Sequence, residues 1–487
     1  MHILFDKALI SRALLYPALL IVLVVPSVIA ANKQNLPSFG DAVSGIVSLS
    51  QEREIGQQFL RSLRGQAPTI DDPILQDYVE HLSYTLAANS ELVDRRLDLV
   101  IVDSPILNAF AVPGGVIGIH HGLFRYAETE QEIAAILAHE IAHLSQRHFA
   151  RGIEAQQKSA VFNMAGLLAS VVLMTTVSGE AGMAALNTVR GVAQASQLRH
   201  SRSREAEADR VGIDNLVSAK MDPRAMANMF ERLERSTRYS ADEMPEFLRT
   251  HPVTKSRIAD AYNQTAKYPQ QSYPLNLEFH LMKARVKAIT AKSPRDVIPA
   301  FLAGMNHEDT VIRHANVYGL VIALVENSQF DEASRQLSPL VLAYPDKIAI
   351  QIAEASIHLK AERYDQAQAI LESALELNPE NYPLTMALAD VLINTDPRRA
   401  QKMLTTLTTS RKNDAYLWYH LAEAAGLAGD IPEVHWSRAE YFILTGNLDQ
   451  ALKQLDYTLS LIKRNFQQEA KVKSRIKEIQ ELNDKKS

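Results

Sequence analysis

The sequence predicts a mostly α-helical chain in two parts: a domain of helices around a small β-sheet, then a solenoid of paired helices. Three observations carry this. Phe330 and Tyr364, Ala333 and Ala367, and Pro345 and Pro379 all recur at one common interval, the period of tetratricopeptide repeats. "ETEQEIAAILAHEIAHLSQRH" (Glu128–His148) places Ile133, Ile136, Leu137, Ile141 and Leu144 on one helical face. "LDLVIVDSPILNAFAVPGGVIGIHHGLF" (Leu97–Phe124) reads as strands around a Pro-Gly-Gly turn.

The bulk numbers bound the chemistry. The 487 residues are 47% hydrophobic and 22% charged, room for more than one core. A net charge of −5 has no basic excess, which argues against nucleic acid as a partner. The absence of cysteine excludes disulfides, thiolate metal ligands, a cysteine nucleophile and a lipid anchor on cysteine.

Along the chain, Lys7 and Arg12 precede an apolar run from Ala13 to Val25, and Val28-Ile29-Ala30 is a small-residue cleavage pattern. The run is shorter than the ~20 residues a spanning helix needs, so residues 1–30 read as a cleaved signal peptide. Residues 31–50, with Ser, Gly and Pro, read as a linker. Residues 51–265 carry every plausible catalytic group. In the strand region, the edge from Asn108 to Val112, with Asn108, Ala109 and Phe110 foremost, is a candidate to bind substrate as an added strand.

The helix that follows opens on Thr129, a credible N-cap with Glu132 three residues on. It contains His139, Glu140 and His143, an H-E-x-x-H arrangement. Residues four apart share a helical face, so both imidazoles can reach one ion. Glu140 is placed to take a proton from a water on that ion. Zinc suits such ligands and leaves a coordination position open for chemistry. Two histidines hold zinc poorly, so a third ligand is required. "SRSREAEADRVGIDNLV" (Ser201–Val217) supplies candidates. Spacing alone does not choose between Glu205 and Glu207, but Glu205 shares a face with Asp209, a carboxylate able to orient a ligating histidine. His251, before a proline in "FLRTHPVTKSRIADA", is a candidate oxyanion stabiliser or a resting fourth ligand that moves away. His120, His121 and His148 read as structural.

Ser159–Gly179 carries no charge and is long enough to span a bilayer. It lies between His143 and Glu205, which must meet at one ion, so only zero or two crossings are allowed. The return segment Ala181–Ser196 is short and carries Arg190, which favours zero. Residues 159–196 then form a lid, or a surface touching a bilayer or an unfolded client.

"KYPQQSYP" (Lys267–Pro274) marks a boundary, and residues 275–487 form the repeat domain. Ala400 and Ala451 continue the small-residue position. At least four units are expected, with a degenerate first unit in 276–313. The array presents a groove for peptides or partner proteins. The tail from Lys471 reads as a capping helix or a frayed end.

His139-Glu140-x-x-His143, then Glu205-x-x-x-Asp209, preceded by "NAFAVPGGVIGI" and followed by "THPVTKSRI", resembles the zinc metallopeptidases of the CaaX-prenyl-protease and HtpX type. The resemblance spans roughly residues 100–260. It implies a gluzincin-type metalloprotease domain with one zinc per chain held by His139, His143 and Glu205, Glu140 as general base and Asp209 behind the ligands. The family's His-Pro pattern falls on His251. The signal peptide and the repeats narrow the likeness to periplasmic members. These imply a role in outer-membrane protein quality control, acting on unfolded or stalled clients while the repeats engage assembly machinery. A second class stands beside this: a chaperone or adaptor that binds through its repeats, with proteolysis secondary.

Overall fold

The computed structural model describes residues 47–157, 202–239, 246–462 and 465–484. The leader at 1–30, most of the 31–50 stretch and the 159–196 segment therefore lie outside the described residues. Among the described residues, no helix is long and apolar enough to cross a membrane.

Helix α1 (Leu49–Gln66) begins within the last residues of the stretch read as linker, because Ser48 and Gln51 form a reciprocal capping box there. Helix α2 (Pro73–Ala88) starts where Asp72 caps Leu75. Three strands follow: β1 (Asp98–Val102), β2 (Ala109–Val112) and β3 (Val116–His120). Their order is β1-β3-β2, with β1 and β3 parallel and β2 antiparallel to β3. Strand β2 is thus an edge. The β2–β3 turn needs its glycines: Gly114 and Gly115 have φ of +82° and +83°, and a Cβ on Gly114 would lie 2.4 Å from the Glu52 carbonyl oxygen on α1.

After the short α3 (Gly122–Tyr126) comes α4 (Glu130–Ser145), the axis of the domain. The Thr129 side chain caps Glu132 N, while the Glu132 carboxylate reaches back to Glu128 N, one residue beyond the usual capping-box partner. Every residue from Glu132 to His143 is buried, not one face alone, because α4 packs on α2, β2 and two further helices, α6 (Arg202–Ser218) and α7 (Ala225–Tyr239). Helix α5 (His148–Gln157) precedes the undescribed segment. Helices α8 (Glu246–Thr250) and α9 (Lys255–Thr265) complete the domain. Helix α6 crosses α4 closely at Gly212, where a Cβ would stand 3.2 Å from the His139 backbone nitrogen. That approach carries the α6 carboxylates to the α4 histidines.

From Leu277 to Asp484 the described chain is a succession of helices, each packed on its sequence neighbour, as expected of a tetratricopeptide solenoid. Ala333, Ala367, Ala400 and Ala451 are fully buried, so small side chains sit where paired helices touch. Ser328 and Glu362, at equivalent places in successive repeats, both take φ of +58° in the turns that open the next helix. The tail forms a packed helix, Phe466–Asp484, with Val472 and Ile479 buried and Arg475 paired to Glu440 at 2.6 Å.

The apolar core is continuous from Leu75 and Leu137 in the first domain through Phe279 and Tyr318 to Trp418 in the repeats. Ion pairs add to it: Arg285–Asp72 and Arg411–Glu80, each at 2.7 Å. The repeats therefore pack back onto the first domain as one unit.

Candidate metal centre

Four side chains converge inside the α4–α6 crossing. His139 and His143 come from α4, Glu205 from the first turn of α6, and His251 from the residue after α8. All are buried, and one ligand atom from each lies within 4.8 Å of the others. His139 Nε2 is 3.1 Å from His143 Nε2 and 3.3 Å from His251 Nδ1. Glu205 carboxylate oxygens lie 3.5 Å from each α4 imidazole and 3.1 Å from His251 Nδ1. A tetrahedron with bonds of about 2.0–2.1 Å to nitrogen and oxygen has edges of about 3.3 Å, close to these separations.

The proton inventory also fits a cation. His139 Nδ1 faces Asp209 Oδ1 at 3.0 Å, an acceptor for its proton when Nε2 turns a lone pair to an ion. Burial lowers the His139 imidazole, but its bonds to Asp209 and Glu205 outweigh that and raise it to about 9. Burial likewise raises Glu205, yet the charges and hydrogen bonds of His251, His139 and His143 hold it well below the ordinary carboxylate range. The pocket is arranged for positive charge at its centre.

Glu140 is also buried, but it does not join the four. Among the described residues its Oε1 has no hydrogen-bond partner, and it lies 3.6 Å from His251 Nε2. The Ala111 backbone N–H of β2 donates to its carboxylate. Burial pushes the Glu140 carboxyl above its usual range, against the pull of His251 and His139. A desolvated carboxylate with a bare oxygen beside a metal pocket has the make-up of a general base.

The remaining expected residues are placed as follows. Asp209 is gripped by Arg257, Nε to Oδ2 and Nη2 to Oδ1 both at 2.7 Å, while Arg257 Nη1 reaches Glu205 Oε2 at 3.1 Å and the Pro252 carbonyl at 2.8 Å. His251 stacks on Phe247, ring centroids 4.8 Å apart. The Phe247 N–H reaches the Leu107 carbonyl just before β2, at 3.4 Å. Asn108 and Ala109 are buried, so the edge strand offers Phe110 and Ala111, which are half-buried. Glu207 does not enter the cluster.

Sequence reasoning missed Arg257 and undervalued His148. Arg257 lies within the "THPVTKSRI" stretch, but nothing in its spacing points to Asp209, which belongs to a helix far earlier in the chain. His148 does not stand apart from the ligand face: its Nδ1 is 2.7 Å from His143 Nδ1. The reason is a break in the helix. Arg147 takes φ of +49°, which ends α4 and folds His148 back. In an unbroken helix, residues five apart diverge.

Comparison with known proteins agrees with this geometry. Residues 73–265 match peptidase family M48, and residues 358–424 match a tetratricopeptide repeat model. The chain is 32% identical to the beta-barrel assembly-enhancing protease of Escherichia coli (strain K12), over 94% of this chain and 93% of that one. The protein of the same name from Yersinia pestis is also 32% identical, over 92% of each. The mitochondrial metalloendopeptidase OMA1 of Arabidopsis thaliana is 31% identical over 39% of this chain and 36% of its own. The chain belongs to peptidase family M48 and, within it, to the family of beta-barrel assembly-enhancing proteases. It is a metalloendopeptidase.

Proposed function

We propose that the chain is a zinc endopeptidase of the periplasm that removes misassembled outer-membrane proteins and assists their assembly. The relatives' name supports the assembly role. The observation that carries the chemistry is Glu140: a buried carboxylate, one oxygen of which has no partner among the described residues, beside a pocket of converging ligand atoms. His139, His143 and Glu205 hold the ion, and Asp209 orients His139. When bound, zinc supplies the Lewis acidity that makes water nucleophilic at neutral pH and polarises a peptide carbonyl. Glu140 takes the water's proton and returns it to the leaving amine. Strand β2 lines up the substrate backbone beside Glu140, Ala111 being the point where strand and base touch. His251 would also hold the ion at rest and would have to swing aside, about its Pro252 junction, for a carbonyl to approach. The repeats recruit clients and assembly machinery.

Glu140→Gln tests the mechanism. The variant is expected to keep its fold and its zinc while losing cleavage of an unfolded outer-membrane protein by at least ~100-fold, the usual contribution of a positioned acid–base group. A variant that still cleaves at the unmutated rate sinks the assignment. One that complements a deletion strain in full makes binding through the repeats the dominant role.

A further inference from the structure

Behind His143 runs a polar chain that the zinc chemistry does not require. His143 Nδ1 meets His148 Nδ1 at 2.7 Å. His148 Nε2 meets Glu207 Oε2 at 3.1 Å, and Arg151 Nη1 holds the same oxygen at 3.0 Å. Arg204 Nη1 donates to the His148 carbonyl at 3.3 Å. His148 itself is fully buried.

Proton counting gives the chain a direction. The two Nδ1 atoms are so close that they share one proton, since two N–H groups pointed at each other across that gap would collide. If His143 Nε2 binds an ion, its single proton is on Nδ1. His148 Nδ1 must then accept, so the His148 proton lies on Nε2, where the Glu207 carboxylate accepts it. Each ring's tautomer is set by the next group outward.

The backbone is bent to bring this about. Arg147 occupies the left-handed region that side chains disfavour, and its guanidinium is held by Glu52 at 3.2 Å and the Val47 carbonyl at 2.6 Å. Without that turn His148 would leave the site.

We propose that His148 is a positioning residue: it fixes the tautomer and ring direction of His143, and Glu207 fixes those of His148. The inference rests on His143 as a zinc ligand. It gives Glu205 and Glu207, two positions apart on α6, separate tasks: one on the ion, one behind the opposite histidine.

The test uses the full chain and zinc alone, its affinity measured by competition with a chromophoric chelator. His148→Leu and His148→Asn are compared, because the asparagine Oδ1 keeps an acceptor near the position of Nδ1 and leucine does not. His148→Leu is expected to weaken zinc binding about 10–100-fold, the usual loss for an outer partner of a ligand. His148→Asn should recover most of it. The visible spectrum of the cobalt-substituted chain should shift in the leucine variant and return towards the unmutated form in the asparagine variant, a readout that packing alone would not separate. Equal affinities in all three proteins overturn the inference, as do equal losses in both variants. If the leucine variant does not fold, Glu207→Ala decides: it should weaken zinc binding, and unchanged affinity overturns the inference. His143→Ala keeps the two readings apart. If it holds zinc as well as the unmutated chain, the ligand assignment fails. If it loses zinc while the His148 and Glu207 variants do not, only the present inference fails.

Discussion

The two histidines of α4 are braced in opposite ways. Behind His139 stand Asp209 and Arg257, both side chains no more than 8% exposed. Behind His143 stand His148, Glu207 and Arg151, and exposure climbs along that line, with the Glu207 side chain at 27% and Arg151 at 37%. The first arm is closed and carries full charges deep in the domain. The second starts from buried imidazoles and ends at the surface. A buried charge loses water on every side and must be repaid by its partners, whereas a charge near the surface keeps much of its hydration. The arms should therefore differ in how far damage to them spreads: the first into the stability of the whole domain, the second mainly into the metal pocket.

The largest effect is expected from Asp209→Ala. It leaves the Arg257 guanidinium buried without its bidentate partner and His139 Nδ1 without an acceptor. Losing one member of a buried pair costs about 3–5 kcal/mol. Chemical denaturation of the chelator-treated protein should show that loss before zinc enters the account. If the variant matches the unmutated chain in denaturation midpoint, the closed arm is not a structural element.

These arms also mark how far the sequence could be read. The repeat array was legible because its contacts are local: Ala333 and Ala367 repeat at a fixed interval and both are buried. The H-E-x-x-H pair was legible because helical spacing alone puts His139 and His143 together. Glu205 and Asp209 needed one further chemical premise, a third ligand with a carboxylate behind it. His251 could be singled out, but its neighbours could not, since its approach to His139 closes a long loop of chain that no local pattern spans. Arg257 and His148 were not legible. Arg257 finds Asp209 through tertiary packing of α9 on α6. His148 depends on one left-handed residue, Arg147, of a type that carries no glycine-like signal for such a turn. Helical periodicity assumed that α4 ran on, and so turned His148 away from the site.

A second, smaller effect separates charge from shape within the closed arm. Arg257→Lys keeps a cation beside Asp209 but lacks the planar fork that reaches both its oxygens, Glu205 and the Pro252 carbonyl. Loss of charge-assisted hydrogen bonds of this kind is worth about 2 kcal/mol, less than removal of Asp209, because the aspartate still has a counter-ion. The same arginine ties the His251-Pro252 junction to α6, so the lysine variant should also release His251 more readily. Denaturation midpoints test the first expectation, and a rise in basal cleavage per bound zinc tests the second. Basal cleavage that falls in step with stability would confine Arg257 to the structure.

The smallest effect is expected at the outer end of the open arm. Arg151 pairs with Glu207 and donates to the Gln146 carbonyl, and more than a third of its side chain is in solvent. Arg151→Ala removes one ion pair of the kind that contributes about 0–1 kcal/mol, and Glu207 remains to accept from His148 Nε2. Zinc affinity should therefore stay close to the unmutated value. Any loss should shrink in high salt, because charges near the surface are screened over about 10 Å at about 0.1 M. Zinc titrations of the variant at low and high ionic strength make the measurement. A large, salt-independent loss would mean that the open arm is as closed as its counterpart, with the Arg151 charge felt at His143 through two intervening side chains, and the contrast between the arms would fail at its outermost member.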